Sequence, residues 1–296
     1  MICLIENGRL GNQILQYVGI RDAFPDDRIL LVGFKSFFQI FDCNDRNILH
    51  LSLNHHRIHQ ILRVFLRYLI RMRLFQVISE QVSAEKYQLT RSTALFGIAV
   101  VDEAMFWQHS SCNYNLISEL TVKASVLQTA RDWISSVVAE AQSHNLVFVH
   151  VRRGDYLRWP STEKPAVLTE NYYLAAMHLL SQRVSRPFFL IFSDDCEYVK
   201  RCIMPHWSGA NIALSSNPVW IDFVIMSLCG YGILSASTFS LGAALVGQGL
   251  RHGAYLGPKY WAGHSQATWF PRFFKVDGIE YLDPSLFVDM GRDTEK

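Results

Sequence analysis

Two adjacent arginines follow an apolar run in the segment His150-Val-Arg152-Arg153-Gly154-Asp155-Tyr156, directly behind Leu146-Val-Phe-Val149. A guanidinium is planar and permanently charged, and it can grip phosphate oxygens with two parallel hydrogen bonds. Two more polar clusters close apolar runs further along. Ser193-Asp194-Asp195 follows Pro187–Phe192, and Ser235-Ala-Ser237-Thr238-Phe239-Ser240 follows Tyr231–Leu234. A carboxylate such as Asp194 or Asp195 can accept from the N1–H and exocyclic amine of guanine. Thr238 and Ser240, with Ser237 beside them, offer hydroxyls at a helix start whose free N–H groups also suit a phosphate. Taken together the chemistry is recognition of a nucleotide. Each cluster also has an ordinary structural reading: a salt bridge at a strand end, helix caps at Asp194, Asp195 and Thr238, and a satisfied core histidine at His150.

The elements that must hold these residues alternate. Leu146–Val151, Pro187–Phe192 and Tyr231–Leu234 read as strands, separated by helical patterns that include one capped by Thr169 and one over Leu241–Val246. Such alternation predicts a parallel α/β sheet, in which ligands bind beyond the carboxyl ends of the strands. All three polar clusters stand at those ends. Period-two alternation places His150 and Arg152 on one face, with Val149 and Val151 on the other. Nearer the start, Ile2–Ile5, the Asn7-Gly8 and Gly11 breaks, and Ile14, Tyr17 and Val18 read as strand, turn and helix. A helix over Val122–Ala141, striped by Val126, Ala130, Trp133, Val137 and Ala141, precedes a predicted domain boundary at 143/144.

Composition narrows the class. Half of the 296 residues are hydrophobic, enough for a sizeable core, and the formal charge of +2 argues against a nucleic-acid binder. The cysteines Cys3, Cys43, Cys112, Cys196, Cys202 and Cys229 are scattered without a CxxC pair, so buried free thiols in a reducing cytoplasm are expected. No signal peptide and no stretch of about 20 apolar residues is evident. No D-x-D occurs, and with arginines available a divalent metal is unnecessary. The dinucleotide fingerprint and the P-loop are absent as well.

One helix stands apart. Over Arg57–Phe75, residues Ile58, Ile61, Leu62, Phe65, Leu66, Leu69 and Ile70 form an apolar face while Arg63, Arg67 and Arg71 recur every four residues. Such a helix either packs on its own domain with a solvated basic side or lies on an anionic membrane surface.

In order along the chain, Gly8-Arg-Leu-Gly11-Asn12-Gln13 with Gln16-Tyr17, "HVRRGDY", "LTENYYLAAM", "IFSDDCEYVK", "DFVIMSLCGYGILSASTFSLGAAL" and "GPKYW" resemble the motifs of glycosyltransferase family 11, the α-1,2-fucosyltransferases. The similarity is thin from about 30 to 125 and dense from 146 to 261. The resemblance implies a GT-B fold, two Rossmann-like domains facing a cleft. Residues 1–143 would form the acceptor side and 144–296 the GDP-sugar side, with the C-terminal segment packing back on the first half. It implies inverting transfer of L-fucose from GDP-fucose, without a metal or other cofactor, to a terminal galactose of an oligosaccharide or lipid-linked glycan. The setting would be cell-surface glycan or lipopolysaccharide synthesis. Arg152 would hold the β-phosphate, His150 would lie against the nucleotide, and Asp194 or Asp195 would meet the guanine. Ser237, Thr238, Phe239 and Ser240 would line the diphosphate pocket. Gly11, Asn12 and Gln13 would approach from the opposite half. The family commonly has a tryptophan pair where this chain has Leu241-Gly242, and glycine where it has Arg9, which bears on sugar and acceptor preference.

The transfer needs a leaving diphosphate stabilised as it gains charge, the role of Arg152 helped by Arg153. It also needs a base, for which Asp155, Glu6 and His150 are candidates. The rivals are the same fold acting on another GDP-sugar or acceptor, a non-catalytic nucleotide- or glycan-binding relative, and a membrane-surface adaptor acting through Arg57–Phe75.

Overall fold

The computed structural model describes residues 1–43, 45–52, 56–82, 87–101, 116–117, 120–138, 143–247, 255–272 and 274–287. The chain forms two compact units that meet in sequence between Thr121 and Val122. The first contains β1 (Ile2–Ile5), α1 (Leu10–Ala23), β2 (Ile29–Val32), α2 (Lys35–Ile40), β3 (Phe41–Asp42), β4 (Ile48–Leu51), α3 (His56–Arg71), β5 (Gln76–Val82), β6 (Tyr87–Arg91) and β7 (Ala99–Val101), and the short β8 (Thr121–Val122) spans the junction. Its main sheet runs β4-β2-β1-β7-β5-β6. The pairings are parallel except that β6 runs antiparallel to β5. β1 and β7 are buried along their whole length, as expected of central strands covered on both faces.

The second unit contains α4 (Ala124–Val137), β9 (Asn145–Val151), α5 (Glu170–Arg183), β10 (Pro187–Ser193), the single turn α6 (Cys196–Tyr198), β11 (Ile212–Leu214), α7 (Val219–Leu228), β12 (Tyr231–Ile233), α8 (Thr238–Val246), β13 (Tyr255–Pro258) and β14 (Ile279–Leu282). The sheet order is β11-β10-β9-β12-β13-β14, parallel throughout. Counted from β9 this is the doubly wound order of nucleotide-binding sheets. Its topological switch point lies between β9 and β12, where the chain leaves in opposite directions and opens a crevice. One face of the sheet is sealed by Tyr172, Tyr173, Ala176, Met177 and Leu180 of α5 against Val147, Val149, Val151, Phe189 and Ile191. Tyr172 fixes that helix further by donating to the Leu234 carbonyl at 3.0 Å.

The three strands expected from sequence in this unit are present, and β11, β13 and β14 join them unexpected. The boundary expected at 143/144 also shifts. Helix α4 packs on α7 and belongs to the second unit, because Val126, Ala130 and Ile134 form its buried face. Trp133 sits to the side, 6.4 Å from the Phe192 ring. Thr169 does precede α5, yet its side chain makes no capping hydrogen bond. The C-terminal segment, expected to return to the first half, stays with the second unit as far as Phe287: β14 pairs with β13 and Phe287 packs on the α5 core. The residues beyond Phe287 lie outside the described set, as does Cys112.

Candidate functional site

Both arginines emerge where β9 ends. Arg152 Nη1 lies 2.8 Å from Asp194 Oδ2, and its Nη2 donates to Asp155 Oδ1. Its guanidinium also stands 5.4 Å from the centre of the Tyr156 ring. Arg153 Nε pairs with Asp195 Oδ2 at 3.2 Å, and its guanidinium stacks 3.5 Å over Tyr198. The aromatic faces hold both planar cations in place with little loss of charge. Tyr198 is fixed in turn by donating to Glu170 at 2.6 Å.

The two aspartates brought by β10 face these arginines. Asp194 Oδ1 accepts the Arg153 backbone N–H at 2.8 Å. Asp195 Oδ1 accepts from the Tyr198 amide at 3.0 Å, capping α6. Each oxygen of the pair therefore already receives a donor from within the cluster, so the capping and ion-pair roles weighed against a guanine contact are both realised. Ser193 locks the two strand tips together, donating to the Val151 carbonyl at 2.9 Å while accepting the Asp195 amide at 3.0 Å. The cluster holds two cations and three carboxylates. Asp155 is the most open of the five charged groups, with its side chain 59% exposed against 15% for Arg152. Asp155 is accordingly the carboxylate that an incoming phosphate can replace at least cost.

Across the switch point lies the turn after β12. His150 is buried, its Nδ1 2.7 Å from Ser235 Oγ and its ring 5.3 Å from Phe239. Burial, reinforced by the Arg152 charge, pushes the imidazole down to about 3. It is neutral at physiological pH and a poor proton acceptor, which counts against His150 as the base. Ser237, rather than Thr238, caps α8 by accepting the Phe239 amide at 3.3 Å. Ser240 is wholly buried and its hydroxyl donates back to the carbonyls of Ser237 (3.1 Å) and Ser235 (3.4 Å). Its hydroxyl is thus engaged in shaping the turn. Thr238 and Phe239 are partly exposed at the helix start. Tyr156 closes the circuit by donating to the Ala236 carbonyl at 2.8 Å, and burial raises its phenol to about 12. Leu241 and Gly242, expected to bear on the sugar pocket, are both buried inside α8.

In the first unit the loop between β1 and α1 is equally constrained. Gln16 clamps the Asn7 backbone, accepting its amide at 3.3 Å and donating to its carbonyl at 3.0 Å. Gln13 donates to Glu6 Oε2 at 2.9 Å and accepts the Phe37 amide at 3.0 Å. Gln13 is therefore a buried brace. Gly8 has φ +84°, and a Cβ there would stand 2.3 Å from the Asn12 side chain, so only glycine lets Asn12 fold over the turn. Gly11 is buried at the start of α1, and Arg9 is exposed beside the loop. Of the base candidates, Glu6 is held by Gln13 and Asp155 by Arg152.

Sequence reading missed a polar knot at the end of β11. Asp222, in the first turn of α7, accepts from Ser215 at 2.5 Å, while Asn217 donates to the Ser215 hydroxyl at 3.0 Å. Burial outweighs these bonds and raises its carboxyl to about 7. The neighbouring Phe223 ring lies 5.5 Å from Phe239. The signal was Asn217-Pro218, a turn pair that favours a helix start. Among the described residues no group of three or more His, Cys, Asp or Glu side chains is placed to hold a metal ion.

The sequence profile of glycosyl transferase family 11 matches residues 50–267. The chain is 26% identical to an α-1,2-colitosyltransferase of Escherichia coli over 252 residues, 79% of this chain and 83% of that one. It is 30% identical to a galactoside 2-α-L-fucosyltransferase of Bos taurus over 139 residues, spanning 45% of this chain but only 38% of the bovine protein. Among solved structures, the fucosyltransferase NodZ from Bradyrhizobium aligns over 83% of this chain and 92% of its own, with a TM-score of 0.50 at 11% identity. POFUT1 in complex with GDP aligns over 83% and 95%, with a TM-score of 0.50 at 13% identity. These likenesses fit a GT-B fold built from two Rossmann-like units. With three quarters of its length matched by the family profile, the chain belongs to glycosyl transferase family 11.

Proposed function

We propose that the chain is an inverting transferase that moves L-fucose from GDP-fucose to a hydroxyl of a terminal galactose, forming an α-1,2 linkage in a cell-surface glycan or lipopolysaccharide. The observation that carries this reading is the placement of Arg152 at the switch point of a nucleotide-binding sheet, between a partly exposed carboxylate, Asp194, and a more exposed, displaceable one, Asp155. A diphosphate arriving there exchanges Asp155 for its own oxygens and keeps Asp194 as the brace behind the guanidinium. As the sugar–phosphate bond weakens, Arg152 and the amides at the start of α8 receive the developing charge without reorganising. Asp155, once released from Arg152, is a carboxylate able to take the proton of the acceptor hydroxyl. The arginines neutralise the diphosphate, so no metal is assigned. Among the described residues five cysteines are free thiols, which supports a reducing, cytoplasmic setting.

A second reading keeps the site and changes the sugar. The colitosyltransferase relative aligns over most of both chains, and colitose is fucose without its 3-hydroxyl. Purified protein incubated with GDP-fucose or GDP-colitose and a panel of galactose-terminated oligosaccharides, with and without EDTA, separates the two. Fucose transfer that survives EDTA, with an α-1,2 linkage in the product NMR spectrum, supports the first reading. Exclusive use of the deoxy donor replaces it with the second. GDP binding without turnover on any acceptor overturns both in favour of a non-catalytic relative.

A further inference from the structure

Helix α3 is apolar on two adjacent faces. Inward, Leu66 is buried, and Leu62, Leu69 and Ile70 pack with it against Cys3, Ile5, Val32 and Val100. Arg63 also turns inward and donates to the Glu6 carbonyl at 2.5 Å, so it leaves the basic stripe that the spacing suggested. Outward, Ile58, Ile61, Val64, Phe65, Tyr68 and Met72 are exposed, Ile61 by 68%. The seven-residue apolar face read from sequence therefore divides: Leu62, Leu66, Leu69 and Ile70 serve the core, and Ile58, Ile61 and Phe65 do not. At 100° per residue the outward row covers an arc of about 120°. The exposed Arg67 and Arg71 run along one edge of it. The patch continues past the helix end, where the amides of Leu95 and Phe96 bond to the carbonyls of Arg73 and Leu74, each at 3.0 Å. Leu95 and Phe96 are themselves exposed.

We propose that this face docks on an anionic lipid bilayer, with the apolar row at the acyl boundary and Arg67, Arg71 and Arg73 among the headgroup phosphates. Charge selects that occupant. No Asp or Glu occurs between Asp45 and Glu80, whereas Arg46, Arg57, Arg63, Arg67, Arg71 and Arg73 all fall within that span. In a chain of net charge +2 these six leave the remainder at −4 (2 − 6). Of these, the exposed Arg67, Arg71 and Arg73 lie beside the apolar row, so the attraction to an anionic surface is local to that face. A second copy of the chain would bring two such basic edges together with no acidic partner on either helix, which is repulsive. A helix of 16 residues lying flat offers about 24 Å of contact, and interfacial helices seat their apolar side about 5–10 Å deep. This inference stands independently of the donor and acceptor proposed above.

The test is flotation of the full chain with vesicles of phosphatidylcholine alone or with about one third phosphatidylglycerol, at low and high salt. Binding is expected only with the anionic lipid and should weaken with salt. Arg67→Gln/Arg71→Gln should partition about thirty-fold more weakly, at about tenfold per 1.4 kcal/mol and about 1 kcal/mol per arginine near the surface. Ile61→Ser/Phe65→Ser should bind more weakly still at high salt, where the apolar row dominates. GDP affinity and thermal melting of each variant, unchanged from wild type, would show that the fold is retained. Failure of folded wild-type protein to float with anionic vesicles overturns the proposal, as does equal flotation of both variants. A dimer by sedimentation that Ile61→Ser/Phe65→Ser converts to monomer assigns the face to a second copy and also overturns it.

Discussion

A methyl group on Gly154 would stand 2.5 Å from Oδ2 of Asp194. That oxygen holds Arg152 Nη1, and its partner Oδ1 holds the Arg153 amide. The absence of a side chain at residue 154 is thus what allows one carboxylate to brace both arginines. Gly154→Ala should displace Asp194 and weaken GDP binding by about tenfold or more, since a charge-assisted hydrogen bond contributes about 1.5–3 kcal/mol. Calorimetric titration with GDP measures this, and an unchanged melting temperature separates it from misfolding. Unaltered affinity would remove Asp194 from the site.

Arg152 and Asp155 should respond in opposite directions. Arg152→Ala leaves Asp194 without its guanidinium partner and removes the proposed phosphate anchor. Transfer should be abolished and GDP affinity should fall by roughly 100-fold, matching the 2–4 kcal/mol lost with a buried charged contact. Asp155→Asn keeps the shape but drops the charge that competes with phosphate for Arg152. Its GDP affinity should rise several-fold while turnover falls, because the same carboxylate is proposed to take the acceptor proton. Equal losses of affinity in both variants would show that Asp155 supports the bound state and does not yield to the ligand.

The difference between these residues and others in the cluster marks how far sequence could reach. Arg152, Arg153, Asp194 and Asp195 were legible because fixed charges behind apolar strands have few structural uses, and the strand order then brings them together. The direction of each side chain was not legible. Whether Asp195 faces a base or caps α6 depends on a single turn of three residues, and whether Ser240 points outward or back into its turn depends on the start of α8. On α3 the period was correct and its meaning was incomplete, because apolar spacing does not state which of two faces a fold will cover.

His150 carries a pH signature. Its folded imidazole is lowered to about 3 from an unfolded value of 6.5. The unfolded chain therefore binds the extra proton first on acidification. The stability this residue contributes is complete above pH 6.5 and declines as pH falls toward 3, by at most about 1.4 kcal/mol per pH unit. His150→Asn can keep a hydrogen bond to Ser235 without titrating. Denaturant unfolding at several pH values should show the variant gaining stability relative to wild type as pH falls from 6.5 toward about 4.

Asp222 has the reverse sign, and the two residues mask one another. Its carboxyl is raised to about 7 from 3.8, so the folded state retains a proton that the unfolded chain releases. Stability from this group is complete below pH 3.8 and is lost as pH rises through 7, again at up to about 1.4 kcal/mol per unit. Between about pH 4 and 6.5 the Asp222 slope falls while the His150 slope climbs, so together they nearly cancel in the wild-type chain. Each single substitution should expose the other residue. Asp222→Asn should make stability rise with pH across that interval, His150→Asn should make it fall, and the double variant should return to the nearly flat wild-type profile. Parallel profiles for all four proteins would mean that neither group is perturbed, and would remove the burial argument that makes His150 a neutral wall of the proposed nucleotide site.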